Sequence, residues 1–339
     1  GYEVQCYMAN IGQIEDFDAA KEKALKIGAT AVYIEDIRRD FVNTTIFPAI
    51  QANCIYEGVY LLGTSLARPV IAAKQMEIAK REGCQFVSHG CTGKGNDQVR
   101  FELAFYAIDP KIQVIAPWRI PEFYNRFQGR SDLLAYAAEK GIPVQQTAAK
   151  PWSTDENLYH ISFEAGILED PNVTPPKEMW KLTTNPEEAP NTPEHIAITF
   201  KAGIPVKVEN LDDGGTILRA CHVDLEGICM DREARRLRDS LGVRLSEILY
   251  NGYWFTAERE IIQAAVTESQ KYIDGTVRCK LYKGSVTMEG RTSPNSLYDQ
   301  DLSSMDIAGG FHPLDSEGFI KIQSIRLKAY TDMKNRLAN

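Results

Sequence analysis

Short apolar segments with the composition of β-strands alternate with helical patterns through the first 146 residues. The strand-like segments lie at 2–8, 31–35, 84–88, 111–118 and 142–146. The helical patterns lie at 15–29, from the end of the second strand through Ile50, at 63–83, at 96–108 and at 131–141. Such alternation is typical of an α/β fold with a parallel sheet. We therefore expect a doubly wound parallel sheet whose ligands bind at the carboxyl ends of the strands.

Polar residues and glycines stand where several of these helices should begin or end. The candidate caps are Asp16 or Asp18 with Gly28 for the helix at 15–29, Thr64 or Ser65 for the helix at 63–83, and Ser131 for the helix at 131–141. These residues predict where each helix stops and where the loops between strands and helices lie.

The second half of the chain has a different pattern, because prolines interrupt it repeatedly between residues 151 and 193. Beyond them we predict hairpins at 197–211 and 276–290, the latter turning at Lys283-Gly284, and helices at 231–250 and 257–270. Apolar residues recur at helical spacing in the tail, 320–337, where a projecting stripe favours contact between subunits. The expected organisation is an α/β domain at 1–146, an α+β domain at 147–317 and a C-terminal helical tail at 318–339.

Composition excludes several classes of partner. The net charge is −8 with a pI near 5.3, so the surface has no general attraction for nucleic acid or anionic lipid. No apolar run is long enough to span a membrane. Seven scattered cysteines without a CxxC pair favour a reducing compartment and argue against zinc. The five histidines form no metal-binding pattern, and His222 beside Asp224 is interpreted as a structural pair.

A glycine-rich loop, SHGCTGKGND at 88–97, joins the third strand to the helix at 96–108. Backbone N–H groups of such a loop at a helix N-terminus can bind an anion, although the spacing does not match a P-loop. Asn96, Asp97 and Arg100 share one helix face. Asp97 suits an ammonium group and Arg100 a carboxylate. The alternative is an ordinary strand–helix turn with an Asp97–Arg100 ion pair at the surface.

Longer blocks give these residues a context, and together they resemble the argininosuccinate synthases over essentially the whole chain. The blocks are ANIGQ (9–13), LLGTSLARPVIA (61–72), SHGCTGKGNDQVRFEL (88–103), APWRIPEFYNRF (116–127), PWSTDEN (151–157), HISFEAGILEDP (160–171), APNTPE (189–194), HVDLEG (222–227), MDRE (230–233) and GFIKIQSIRLKAY (318–330). The resemblance implies a nucleotide-binding domain of the PP-loop, adenine nucleotide α-hydrolase-like type, a synthetase domain and an oligomerisation tail.

The resemblance also implies a ligase reaction in arginine biosynthesis. The ureido oxygen of citrulline attacks the α-phosphate of ATP, pyrophosphate leaves, and the amine of aspartate displaces AMP from the citrullyl-adenylate. The product is argininosuccinate. ATP is expected as co-substrate with Mg²⁺ bound to the nucleotide and no protein metal site. A cytoplasmic homotetramer with no nucleic-acid or membrane partner is expected.

The family pattern assigns site residues to both kinds of substrate. Asn96, Asp97 and Arg100 are the expected catalytic centre. Citrulline is expected at Tyr60, Ser65, Asn96, Arg100, Ser153 and Ser162, and aspartate at Thr92, Asn96 and Asp97. The expected nucleotide contacts are Ala9, Ser88, His89, Gly90, Cys91, Thr92, Gly93, Lys94, Gly95 and Asn96.

Two segments of the family pattern are absent from this sequence. A pyrophosphate-binding loop, S-G-G-x-D-[ST]-S, is expected just before residue 1, and several dozen residues with further citrulline ligands are expected near 210–220. An active ligase is therefore weighed against a non-catalytic binding or assembly subunit. A nicotinamide-dependent oxidoreductase is disfavoured because no G-x-G-x-x-G follows a strand.

Overall fold

The computed structural model describes residues 1–92, 95–143, 152–209, 215–300 and 314–338. In the first half, strands and helices alternate as predicted, although the predicted strand at 142–146 reaches into residues outside those described. The elements are β1 (Gln5–Asn10), α1 (Phe17–Ile27), β2 (Ala31–Asp36), α2 (Arg38–Phe41), a π-helical stretch (Val42–Ile46), α3 (Phe47–Gln51), α4 (Gly63–Arg81), β3 (Phe86–Ser88), α5 (Asp97–Ile108), β4 (Gln113–Ile115), α6 (Pro121–Arg126) and α7 (Arg130–Glu139).

The parallel strands form two separate pairs. β1 pairs with β2, and β3 pairs with β4. Among the described strands no ladder joins β1 to β3. A cavity of about 780 Å³ lies there instead, lined by residues 2–7 and 83–88. Hydrogen-bonded strands lie only about 4.8 Å apart, so strands on opposite walls of such a cavity do not pair. The α/β class is confirmed, but a single doubly wound sheet is not.

Helix ends confirm some of the predicted caps and correct others. At the start of α1 the Asp16 carboxylate accepts the Ala19 N–H at 2.9 Å, and Gly28 ends the helix with φ of 116°. α4 begins at Gly63, so Thr64 and Ser65 lie inside its first turn and neither side chain caps it. The Ser131 prediction is also wrong, because α7 begins at Arg130 after an extended Gly129.

The second half is α+β, as predicted. Its elements are β5 (Ser153–Glu156), β6 (Ile161–Glu164), β7 (Glu194–Lys201), β8 (Ile204–Glu209), α8 (Gly215–Cys229), α9 (Arg232–Tyr250), α10 (Ala257–Ser269), β9 (Gly275–Tyr282) and β10 (Ser285–Thr292). β5 and β6 form a hairpin, and the other four strands form an antiparallel sheet in the order β10-β9-β7-β8. Lys283 and Gly284 both have positive φ, 46° and 82°, which confirms the predicted tight turn.

One apolar cluster joins the two halves. It contains Leu62 and Leu66 from the start of α4 together with Leu245, Ile248 and Leu249 from α9, all at most 2% exposed. This packing holds the C-terminal end of α9 beside the start of α4. Side chains from both halves can therefore meet there.

A fully buried polar network lies behind this packing. Asn53 and Gln270 place their side-chain oxygens 3.0 and 2.8 Å from the two ring nitrogens of His222, and donate their amide N–H groups to Glu226 at 2.9 and 2.7 Å. Arg238 donates to the same carboxylate. His222 is therefore structural, as predicted, but the predicted partner is wrong: Asp224 instead pairs with Arg291 on β10 at 2.5 Å.

Residues 296–339 form a separate compact unit. Its helix α11 (Asp315–Ala338) confirms the helix predicted over 320–337. Along it, Ile322, Ile325 and Leu337 are at least 66% exposed, whereas Met333 is 38% exposed. No helix in the described part of the chain is long and apolar enough to cross a membrane.

Candidate active site

A cleft of about 430 Å³ opens where the glycine loop meets the β5–β6 hairpin and the end of α9. Its walls contain six of the eight predicted substrate-binding residues. The lining residues are Tyr60, Thr64, Cys91, Thr92, Gly95, Asn96, Asp97, Arg100, Asp155, Ser162, Phe163, Glu164 and Tyr250. Segments as distant in sequence as residues 60 and 250 thus share one concave surface, of the kind that binds small molecules.

Asp97 is the centre of a charged group within the cleft. Arg68 donates to its Oδ2 from Nε at 2.9 Å and from Nη2 at 2.7 Å, and Arg100 donates to its Oδ1 at 2.9 Å. Burial raises the pKa of Asp97, but the two guanidinium groups more than offset this and lower the pKa below its usual value. Asp97 is therefore a carboxylate at neutral pH. The same Arg68 also pairs with Asp155 at 3.1 Å.

Arg100 is held in place by the end of α9. Its Nε and Nη2 donate to the Tyr250 carbonyl at 2.9 and 2.7 Å, and its guanidinium lies 5.2 Å from the centre of the Tyr250 ring. The Asp97–Arg100 ion pair considered from the sequence is present, and it lies in the cleft wall. Only 6% of the Arg100 side chain is exposed, so little of its charged group is accessible from the cleft.

The opposite wall is fixed to the first turn of α4. The Tyr60 hydroxyl accepts the Thr64 N–H at 3.2 Å, and the Thr64 hydroxyl lies 3.0 Å from Nε2 of His160. Burial lowers the pKa of His160 to about 4, so its imidazole is neutral at physiological pH. The buried Asn157 amide donates to the Gly63 carbonyl at 3.1 Å and accepts the His160 N–H at 3.2 Å.

A chain of polar contacts orients the glycine loop. Arg119 donates to Glu102 at 2.7 Å, Glu102 lies 2.8 Å from Nε2 of His89, and Nδ1 of His89 accepts the Cys91 N–H at 3.3 Å. Because Nδ1 accepts a hydrogen bond, Nε2 carries the proton of the neutral ring and donates a hydrogen bond to Glu102. Burial raises the pKa of the Cys91 thiol to about 11, so this side chain is a neutral part of the wall.

The remaining predicted residues lie elsewhere. Ser65 is buried in α4 with no partner for its hydroxyl, and Ser153 is exposed at the start of β5. Ala9 belongs to the apolar core at the end of β1, while Ser88 donates to the Ile115 carbonyl at 2.8 Å. Gly90 is exposed within the loop. Gly93 and Lys94 are outside the described residues.

Sequence reasoning missed Arg68, Asp155, Glu164 and Tyr250. Two of them carried a usable signal. Arg68 lies one helical turn beyond Thr64, on the same face of α4. Asp155 pairs directly with Ser162 across the β5–β6 hairpin, so a hairpin prediction over 153–164 would have placed the two together. Tyr250 had no local signal, because its role arises from the packing of α9.

Comparison with known proteins gives the site a family context. Residues 1–143 match the argininosuccinate synthase N-terminal HUP domain, and residues 152–214 and 210–330 match the argininosuccinate synthase C-terminal domain. The chain belongs to the argininosuccinate synthase family. The matched N-terminal domain agrees with the expected PP-loop type of nucleotide-binding fold.

Curated argininosuccinate synthases are similar along nearly all of the chain. The Schizosaccharomyces pombe protein is 53% identical over 373 residues, covering 97% of this chain and 91% of that protein. The Saccharomyces cerevisiae protein is 52% identical, covering 98% and 92%, and the Homo sapiens protein is 47% identical, covering 99% and 93%.

These matches also bear on the internal segment expected to be absent. The 373 aligned residues exceed the 339 of this chain, so the Schizosaccharomyces pombe argininosuccinate synthase carries additional residues within the aligned region. The C-terminal domain match divides at 210–214, where the sequence analysis expects the gap.

Proposed function

We propose that the cleft around Asp97 is where this chain carries out the reaction of its family, the ATP-dependent condensation of citrulline with aspartate. The products are argininosuccinate, AMP and pyrophosphate. The observation that carries the proposal is the meeting of Tyr60, Thr92, Asn96, Asp97, Arg100 and Ser162 in one cleft. The similar proteins are named argininosuccinate synthase, and nothing in the comparisons supports a non-catalytic subunit.

The charges in the cleft suit two amino-acid substrates. Asp97 provides a counter-charge for the ammonium group of aspartate, with Thr92 and Asn96 beside it. Tyr60, Arg100 and Ser162 face the space left for citrulline, and Ser65 and Ser153 complete the proposed citrulline set. Arg68 keeps Asp97 ionised and oriented. Holding both substrates in reactive geometry lowers the barrier without covalent help from the protein.

The nucleotide is proposed to lie along Ser88–Asn96 and the end of β1 at Ala9. A methyl group added to Gly90 or Gly95 would meet no atom within 4 Å, so backbone N–H groups there are open to close approach by a ligand. The loop leads directly into α5, and no side chain caps that helix at Asn96. Free N–H groups at a helix start favour phosphate.

Mg²⁺ is proposed to arrive with the nucleotide. The described part of the chain holds no cluster of three His, Cys, Asp or Glu side chains suited to a metal. The ion is proposed to be bound mainly by phosphate oxygens and water, and Asp155 and Glu164 provide carboxylates within the cleft. Such an ion would neutralise charge on the reacting phosphate.

The finer organisation is proposed along the same lines. The two parallel strand pairs are interpreted as parts of one doubly wound sheet, in a nucleotide-binding domain at 1–146. A synthetase domain at 147–317 and a tail at 318–339 follow. We propose a cytoplasmic homotetramer whose subunits bury the exposed stripe of α11, which includes Ile322, Ile325 and Leu337. Deleting 320–339 should reduce the mass measured in solution, and a truncated protein that stays tetrameric would refute the role of the tail.

Product analysis tests the proposed reaction. Given ATP, citrulline and aspartate, the protein should release AMP and pyrophosphate, and an Asp97→Ala variant should release far less. An exposed substitution outside the cleft, Asp40→Ala, serves as control. Release of ADP and orthophosphate as the primary products would refute the proposal.

A further inference from the structure

A second cavity, of about 390 Å³, lies between α8, α9 and the loop that follows α3. Three guanidinium groups line it. Arg219 comes from α8, and Arg235 and Arg238 come one helical turn apart on α9. Ile55 and Val243 form an apolar part of the wall. Arginines from two helices, together with Asp239, thus line one cavity.

The arginines have more donors than the protein provides acceptors. Arg238 is 1% exposed and uses Nη2 for both Glu226 and Asp239, whereas its Nε and Nη1 are buried without partners. The Nε of Arg219 is buried without a partner as well. Glu226 is already shared with Asn53 and Gln270, so it has little capacity left for the cavity.

Arg235 adds a third charge to the cavity. No carboxylate among the described residues lies within ion-pair distance of it. By contrast its neighbour Arg236 points to the surface and pairs with Glu233 at 2.9 Å. The two adjacent arginines occupy different sides of α9, which makes them a matched pair for experiment.

We propose that this cavity binds a small molecule through a phosphate group. Buried guanidinium N–H groups without acceptors are unfavourable, and an oxyanion satisfies them. The donors approach from two helices. A phosphate offers acceptor oxygens in several directions, whereas a carboxylate offers two oxygens in one plane. Phosphate geometry therefore matches the arrangement better.

The site is separate from the catalytic cleft. Both border α9, but Arg238 lies twelve residues before Tyr250 in that helix. At a rise of 1.5 Å per residue this corresponds to about 18 Å along the axis. A ligand bound beside Arg238 therefore does not occupy the substrate positions beside Arg100.

Calorimetric titration of the full chain with inorganic phosphate tests the proposal, and a parallel titration with pyrophosphate shows whether a reaction product is preferred over the free ion. The wild type should bind at least one of them with a Kd below about 1 mM. Arg235→Gln and Arg219→Gln should each weaken binding about tenfold or more, because each removes charge-assisted hydrogen bonds. Arg236→Gln should leave the Kd unchanged.

Several results would overturn the proposal. Equal binding by all four proteins would place phosphate in another site, such as the catalytic cleft. Undetectable binding of both ions by the wild type would exclude the site. Acetate binding as tightly as phosphate would refute the phosphate assignment. Citrulline is proposed to bind in the separate catalytic cleft, so both cavity variants should keep the citrulline affinity of the wild type, and a parallel loss of citrulline affinity would contradict a separate site.

Discussion

The catalytic cleft and the network around His222 are built from similar side chains, yet they differ in how far solvent reaches their carboxylates. Each joins arginine to carboxylate. In the network, His222 and Glu226 are fully buried and Arg238 holds a carboxylate already shared with two amides. In the cleft, Asp97 is 28% exposed and Asp155 36% exposed, and both face open space.

This difference separates a structural cluster from a functional one. Glu226 in the network and Asp97 in the cleft both accept hydrogen bonds at both oxygens, but Glu226 is fully buried, so a ligand cannot reach it without opening the fold. Asp97 is partly exposed, so a substrate ammonium group can approach it in the folded protein. Charged residue types therefore identify candidates, and access decides between the two roles.

The largest effect is expected from Glu226→Ala. Removing this carboxylate leaves Arg238 charged and buried, and breaking a buried pair in this way typically costs about 3–5 kcal/mol. Urea denaturation should report the loss as a lower free energy of unfolding. Glu268→Ala, on α10 with 78% of its side chain exposed, is the control and should change stability little. A loss below about 1 kcal/mol for Glu226→Ala would contradict the structural role.

The next effect concerns substrate affinity in the cleft. Asp97→Ala should weaken the binding of aspartate more than that of citrulline, and Arg100→Ala should weaken the binding of citrulline more than that of aspartate. Loss of a charge-assisted hydrogen bond costs about 1.5–3 kcal/mol, which corresponds to roughly ten- to hundredfold in affinity. KM values for both substrates, measured at saturating ATP, check the expectation. If each variant changed both KM values equally, the ion pair would be purely structural.

A smaller effect should appear as pH falls, through His160. The unfolded state binds a proton near its ordinary pKa of 6.5, whereas the folded state binds one only near a pKa of about 4. The folded state therefore loses stability as pH decreases through this window, by about 1 kcal/mol between pH 6.5 and 5.5. His160→Gln, which can still contact Thr64, should show a correspondingly smaller loss. Identical pH dependence in the two proteins would show that burial does not hold His160 neutral.

Asp155→Asn should have the smallest effect on stability. This carboxylate is partly exposed, and Arg68 keeps both of its hydrogen bonds to Asp97. Partly exposed ion pairs contribute about 1 kcal/mol or less. The free energy of unfolding, compared with that of Glu226→Ala, checks the contrast between cleft and network. A loss of stability as large as that of Glu226→Ala would contradict the contrast between the cleft and the network.

Many residues of the candidate site were predicted from the sequence, but their hydrogen-bond and ion-pair partners were not. Six of the eight predicted substrate residues line the cleft, and they were assigned through the resemblance of long sequence blocks to the family rather than from local pattern. The partners of those residues were not predictable. Arg68 reaches Asp97 across 29 positions, and Arg100 reaches the Tyr250 carbonyl across 150.

Contacts between neighbouring residues specify the helix ends and turns of this protein. Asp16 begins α1 and Lys283-Gly284 turns the β9–β10 hairpin through interactions with residues next to them in the chain. Packing between distant segments sets which charged side chains reach solvent and which are buried. His222 lies two residues from Asp224, yet it contacts Asn53 across 169 positions and Gln270 across 48. Local conformation depends on neighbouring residues, whereas burial and ion pairing depend on packing between distant segments, which no short stretch of sequence specifies.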